Sequence, residues 1–253
     1  MAIDWRDVSH ITKVDPAKSL PADLDMLAET DMLVVGGSDD VTDENALATI
    51  ARLEAWTEQI PILQEPYRSD HVSRETVSLI DGLAVPAVFN GDHRHFLAKH
   101  LELFTELANA PGDVRGADLP FIGSIVQSRG QEFVDAVVEN ILAEGYVIQN
   151  LDSRAADVSG VSRTFSVDEV AGAALATEAF YRFPVFYIEY SGMYGGPEDV
   201  AAAASQLDET ILLYGGGIRS GAQTAEILDA GADAVVVGDC FHDDPVGYLD
   251  TIP

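Results

Sequence analysis

The sequence predicts a (β/α)8 barrel, and three observations predict it: eight short apolar runs, helical patterns between most of them, and a length of 253 residues that suits one such domain. The runs are His10–Val14, Asp31–Val35, Ile60–Gln64, Leu83–Phe89, Tyr146–Asn150, Val185–Ile188, Ile211–Tyr214 and Ala234–Val237. Alternation of strand and helix patterns argues for a parallel sheet, and eight units in this length argue for its closure. Such closure gathers the loops that follow the strands at one face, where barrels of this type keep their chemistry. Residues 1–253 are read as one TIM-barrel domain, with no linker and no repeat at a solenoid period.

The elements follow in order. The first strand ends Thr12-Lys13-Val14-Asp15-Pro16 and the second ends Gly36-Gly37-Ser38. Thr42 then suits an N-cap, with acids in the first turn of the helix it opens. After the third run, PYRSDHVSRETVS has weak helical periodicity and a proline, which predicts an irregular third connection. Between the fourth and fifth runs lies an insertion of more than fifty residues, read as a helix near Phe96–Leu107, a Gly/Pro/Asp loop at Pro111–Pro120 and a helix near Gln131–Ala143. Such an insertion is expected to cover a groove or an oligomer interface. Ser166 and Glu169 form a capping box, Pro197 suits the first turn of a helix, Ser220 with Gln223 opens another, and Gly231 closes it.

Composition excludes several classes. Forty-three acidic residues stand against fourteen basic ones, a formal −29, and Lys13, Lys18 and Lys99 are the only lysines. The acids are spread along every segment, which fits a whole surface adapted to high salt rather than a disordered acidic tail. Nucleic acid is a poor partner for such a surface. No run approaches the roughly 18 apolar residues of a membrane span, and the N-terminus lacks the pattern of a signal peptide, so a cytoplasmic protein with at most peripheral membrane contact is expected. The lone Cys240 excludes an internal disulfide framework and reads as a small apolar residue at a strand end.

The stretch Pro184–Gly196, PVFYIEYSGMYGG, is a buried-strand pattern that breaks into small residues, as a strand ending at a ligand would. Glu189 lies inside it, where an unpaired carboxylate is costly, so it is expected to have a partner or to face a cavity mouth where its charge is used. LLYGGGIRSG ends the seventh strand and AVVVGD ends the eighth. Glycines at both ends admit a ligand close to the backbone, and this pairing is the usual phosphate cup of barrels. At the first strand, Lys13 and Asp15 point to the same side, suiting an anionic oxygen and a metal or its bound water. Asp39-Asp40-Val41-Thr42-Asp43 matches the DDxxD magnesium motif of helical prenyltransferases, but here it opens a helix after a strand and is better explained by capping.

Taken together, ITKVDPAK, VVGGSDDVT, YIEYSGMYGGPE, YGGGIRS and VVVGD resemble geranylgeranylglyceryl phosphate synthases, in that order and over nearly the whole chain. The resemblance implies transfer of a geranylgeranyl group from geranylgeranyl diphosphate to the C3 hydroxyl of sn-glycerol 1-phosphate, with Mg²⁺, in archaeal ether-lipid synthesis. By motif, Lys13, the run Tyr187, Ile188, Glu189, Tyr190, Ser191 and Gly192, and then Gly217, Gly238 and Asp239 would hold glycerol phosphate, while Asp15 and Ser38 would hold the magnesium. Glu189 and Lys13 would be the catalytic pair, and a homodimer is expected. Two departures stand out: Gly238-Asp239 where the family has Gly-Asn, and Ala17 where it has an acid. An acid beside a phosphate is unfavourable unless its backbone makes the contact. Phe96, Leu101, Leu103 and Phe104 are candidates for a groove that holds the prenyl tail. The rival readings are a flavin or sugar-phosphate barrel, because GGGIRSG with ADAVVVGD is also a common FMN-phosphate signature, and a catalytically silent barrel serving as a binding subunit.

Overall fold

A computed structural model describes the chain except for residues 1, 2, 4, 58, 69, 70, 114–131, 133 and 136. Eight strands close into a barrel in sequence order: β1 (His10–Val14), β2 (Met32–Val35), β3 (Ile62–Gln64), β4 (Gly82–Val88), β5 (Ile141–Ile148), β6 (Val185–Glu189), β7 (Ile211–Gly215) and β8 (Ala234–Val237). Every neighbouring pair is parallel, and β8 returns to β1 through the register His10 to Val235. The strand alternation divides the core in two. Val185 and Tyr187 of β6 pack with Ile11, Tyr146, Leu213 and Val236, the filling of the barrel. Phe186 and Ile188 pack instead with Val170, Val200 and Ile227, in the layer between the barrel and its helices. Glu189 shares the parity of Tyr187, and Lys13 that of Ile11, so both face the barrel interior at the mouth formed by the strand ends.

The caps read from the sequence recur. Thr42 accepts from Asn45 N–H and opens α1 (Asp43–Trp56). Among its described residues the third connection carries one short α-helix, α2 (Arg74–Val77), so it is irregular as expected. The insertion differs in its boundaries. α3 (His93–Asp113) runs past Pro111, so Pro111–Asp113 is helix and not the start of the expected loop; the rest of that loop, residues 114–120, lies outside the described part. One proline near a helix end removes a single backbone donor, and it does not stop a helix whose Leu103 is already packed with Leu83 and Val137. The helix expected near Gln131–Ala143 also ends early, for β5 begins at Ile141 and pairs with β4 from Leu83–Ile141 to Val88–Tyr146. Pairing along a whole strand outweighed the helical preference of ILAEG.

Beyond β5 come α4 (Arg154–Ser159) and α5 (Val167–Ala176), which continues into a π-turn at Thr177–Tyr181. α6 (Pro197–Ala204), α7 (Gly221–Asp229), α8 (Asp239–Asp243) and α9 (Pro245–Asp250) complete the shell. Gly231 has φ 111° and closes α7, as its sequence position implies. Cys240 is buried in the first turn of α8 rather than at a strand end, because β8 stops at Val237. Among the described residues, no helix is long and apolar enough to cross a membrane.

Candidate active site

The strand ends open on a cavity of about 320 Å³, within the range of small-molecule sites. Of the twelve residues selected from the sequence as binding or catalytic, only Ile188 and Tyr190 do not line it. Both point outward, Ile188 into the layer beneath the helices and Tyr190 toward Asp199, whose Oδ2 accepts from its hydroxyl at 2.7 Å. Any contact they make with a ligand in this cavity is therefore through their backbone.

At the centre lies a buried charged cluster. Lys13 donates to Glu65 Oε2 at 2.8 Å, not to Asp15, and its ammonium stands 5.8 Å from the centre of the Tyr187 ring. Burial pulls the Lys13 pKa down, but the carboxylates of Glu65, Glu189 and Glu144 outweigh it and hold the group above the ordinary lysine value. Lys13 is thus a permanent positive charge. Glu189 is 7% exposed and accepts from the Tyr146 hydroxyl at 3.1 Å and from the Ser191 N–H. Burial raises its pKa, Lys13 and the Ser191 N–H oppose, and burial prevails. A carboxylate shifted in this direction is a better proton acceptor near neutral pH than a solvated one. Beside it the Tyr187 hydroxyl is buried and makes no hydrogen bond of normal geometry, although the Glu189 carboxylate is near enough to act on it. A buried donor without a well-formed hydrogen bond is uncommon and fits a place where a ligand oxygen belongs.

The turn after β6 has the conformation its small residues permit. Ser191 has φ 37° and Gly192 φ 76°, and a β-carbon on Gly192 would stand 3.0 Å from Asp239 Oδ2. Gly215 at the end of β7 and the two glycines after it let this stretch sit close to β6 and its turn: a β-carbon on Gly215 would collide with the Tyr187 hydroxyl, and one on Gly217 would lie 2.6 Å from Tyr194 N. Packing therefore accounts for these glycines, and the same residues form the cavity wall. Gly238 differs, since a β-carbon there meets only Lys13 atoms at 3.5 Å. Nothing in the packing demands a glycine at 238, and its absence of a side chain leaves the backbone open to close approach. Asp239, the acid that departs from the family pattern, turns its Oδ1 to Lys18 Nζ at 2.9 Å, so its charge is compensated by a cation on the β1 side.

Asp15 and Ser38 stand together across the cavity. Asp15 Oδ1 accepts from Ala17 N–H at 2.9 Å, and a β-carbon on Gly37 would lie 2.7 Å from that oxygen, so only glycine lets the second turn approach. Among the described residues there is no group of three or more His, Cys, Asp or Glu able to hold a metal. One carboxylate with one hydroxyl cannot enclose an ion, but the set fits Mg²⁺, which keeps several waters and is shared with substrate phosphates.

Some site residues escaped the sequence reading. Glu65, directly after β3, partners Lys13, and Tyr146 of β5 holds Glu189. Glu65 ends a strand run as Lys13 does, and that position was the available signal. His242 accepts the Asp15 backbone N–H on Nε2 at 3.0 Å, and burial together with Lys18 lowers its pKa, so the ring is neutral. Nothing in FHDDP announces that contact. Of the residues considered for a prenyl groove, Phe96 lines the cavity, Leu103 is buried in the core beneath α3, and Leu101 and Phe104 are exposed.

The PcrB family profile matches residues 2–253 of the chain. A heptaprenylglyceryl phosphate synthase of Lysinibacillus sphaericus is 33% identical over 254 residues, covering 99% of this chain and 96% of that protein. A geranylgeranylglyceryl phosphate synthase of Methanoculleus marisnigri is 32% identical over 253 residues, covering 98% and 96% respectively. The crystal structure of (S)-3-O-geranylgeranylglyceryl phosphate synthase from Thermoplasma acidophilum, in complex with its substrate sn-glycerol-1-phosphate, aligns with a TM-score of 0.72 at 20% identity, over 98% of this chain and 92% of that one. At that identity the likeness is one of fold.

Proposed function

The chain belongs to the PcrB family, and from that premise we propose that it transfers a geranylgeranyl group from geranylgeranyl diphosphate to the C3 hydroxyl of sn-glycerol 1-phosphate. The observation that carries this reading is the raised, buried Glu189 carboxylate beside the glycine-built wall of the cavity. The acceptor's phosphate sits against Gly217, Gly238 and the Asp239 backbone, with Lys13 supplying the buried positive charge. Its C3 hydroxyl lies between Glu189 and the Tyr187 hydroxyl. In the reaction the bond from the prenyl C1 to the diphosphate oxygen breaks, with the electron pair leaving on the diphosphate. The ether bond from C1 to the glycerol oxygen forms, and the hydroxyl proton passes to Glu189. Tyr146 and the Ser191 N–H hold the accepting carboxylate in place while this happens.

Asp15 and Ser38 would hold Mg²⁺, which when bound supplies positive charge to the departing diphosphate. The apolar side of the cavity at Val88, Phe96 and Ile148 is the exit for the prenyl tail. Relatives named for geranylgeranyl and heptaprenyl donors are almost equally similar to this chain, so the donor is read out directly. Radiolabelled sn-glycerol 1-phosphate should be prenylated in the presence of Mg²⁺, with geranylgeranyl diphosphate preferred in a panel of chain lengths. Preference for the heptaprenyl donor would reassign the tail, and no transfer from any donor would overturn the function.

A further inference from the structure

A chain that carries forty-three acids and only three lysines places all three lysines, Lys13, Lys18 and Lys99, in the wall of one cavity. Lys13 is committed to Glu65 at the bottom. Lys18 lies at the rim, where its Nζ meets Asp239 Oδ1 at 2.9 Å and the two side chains are 38% and 46% exposed. A pair so open to water contributes little to stability, so structure alone does not account for keeping a lysine there. The position is more telling. Asp239 is the first residue of α8, directly after Gly238, and its other oxygen is packed against Gly192 of the β6 turn. The ion pair thus holds the Lys18 ammonium over the place where the β6 and β8 turns meet. An ammonium has three donors, and Asp239 takes one of them.

We propose that Lys18 is a second phosphate-binding cation, held over the glycine cup by Asp239 so that its remaining donors close on the phosphate of the acceptor. This rests on the reading that a glycerol phosphate occupies the cup. Asp239 is then a positioning residue, and the acid that stood out in the sequence is what aims the lysine. The alternative is that Lys18 only neutralises Asp239 and never touches the ligand.

Calorimetric titration with sn-glycerol 1-phosphate and with inorganic phosphate, without prenyl donor, separates these. Lys18→Met should weaken both by about 10- to 100-fold, the usual loss of one charge-assisted hydrogen bond. The double variant Lys18→Met/Asp239→Ala should stay weaker than the unmodified protein, because the phosphate contact itself is gone. Recovery of the unmodified affinity in the double variant would overturn the proposal in favour of simple neutralisation. Unchanged phosphate affinity with weakened magnesium diphosphate binding would equally overturn it, by placing Lys18 on the donor side. If the unmodified protein bound inorganic phosphate but not sn-glycerol 1-phosphate, the functional reading would fall, and the role of Lys18 would still be decided by whether Lys18→Met loses inorganic phosphate. Both variants should melt near the parent temperature, as an exposed pair implies.

Discussion

On the β6–β8 side of the cavity five glycines, Gly192, Gly215, Gly216, Gly217 and Gly238, line the wall, whereas on the β1–β3 side the polar side chains of Lys13, Asp15, Ser38 and Glu65 stand beside Gly36 and Gly37. Glycines occur on both sides for different ends. Those near β2 make room for two neighbours, since a β-carbon on Gly36 would lie 2.6 Å from the backbone oxygen of Glu65 and one on Gly37 would lie 2.7 Å from the Asp15 carboxylate Oδ1. Those after β7 bring one turn against another and leave a thin wall of peptide groups. Peptide dipoles with Lys18 near them suit a phosphate directly, while an acidic wall suits a diphosphate only if a cation comes with it. Under the proposed function, the two halves would divide the two anionic substrates by the means each uses to meet negative charge. Glu189 stands at the boundary, on the last position of β6 and within reach of Lys13's field.

The sharpest way to break this division is at its boundary. Glu189→Gln keeps the shape and a hydrogen bond but removes the basicity, so kcat should fall roughly 10²–10⁴-fold while the KM for glycerol phosphate changes little. Steady-state kinetics with a parallel melting curve decides it: a destabilised variant that still turns over would make Glu189 a structural group. The next effect lies on the acidic half. Asp15→Asn should weaken magnesium-dependent diphosphate binding by at least about 10²-fold and leave glycerol phosphate affinity nearly intact. If calorimetry showed the reverse, the halves would have to be exchanged.

A control lies on the other face of β1. His10 is buried outside the barrel, hydrogen-bonded to Thr30 and Thr251, and its pKa is lowered from 6.5 to about 4 by burial, against the pull of Asp31. Between those two values the unfolded chain binds a proton that the folded one refuses, so stability is intact above pH 6.5 and declines as pH falls toward 4. The total is about 3 kcal/mol. Denaturant titrations over this range should show that slope in the parent protein and lose it in His10→Gln, with ligand affinities at neutral pH unmoved; an equal slope in both would assign the acid sensitivity elsewhere. The mildest effect concerns the surface as a whole. With a formal charge of −29, the melting temperature should rise by several degrees from low to molar KCl, because screening lengths shrink to about 3 Å. A flat curve would show that repulsion among the acids is not felt in the folded state.

What the sequence determined by itself is what depends on local rules. Strand parity, capping residues and glycine runs are short-range signals, so the eight strands, the caps at Thr42, Ser166 and Ser220, and the glycine half of the mouth were all readable before any coordinates. Glu189 announced itself because a carboxylate in an apolar strand is costly wherever the strand goes. Only the tertiary structure decided which groups answer which. Lys13 meets Glu65, fifty-two positions along the chain, and not Asp15; Lys18 meets Asp239; and the Asp15 N–H finds His242. The ends of Ile141–Ala143 likewise became strand because β4 was there to pair with them. Barrel closure brings β1 beside β8 and turns sequence distance into contact, and no periodicity along the chain encodes which side chains then face each other across the mouth.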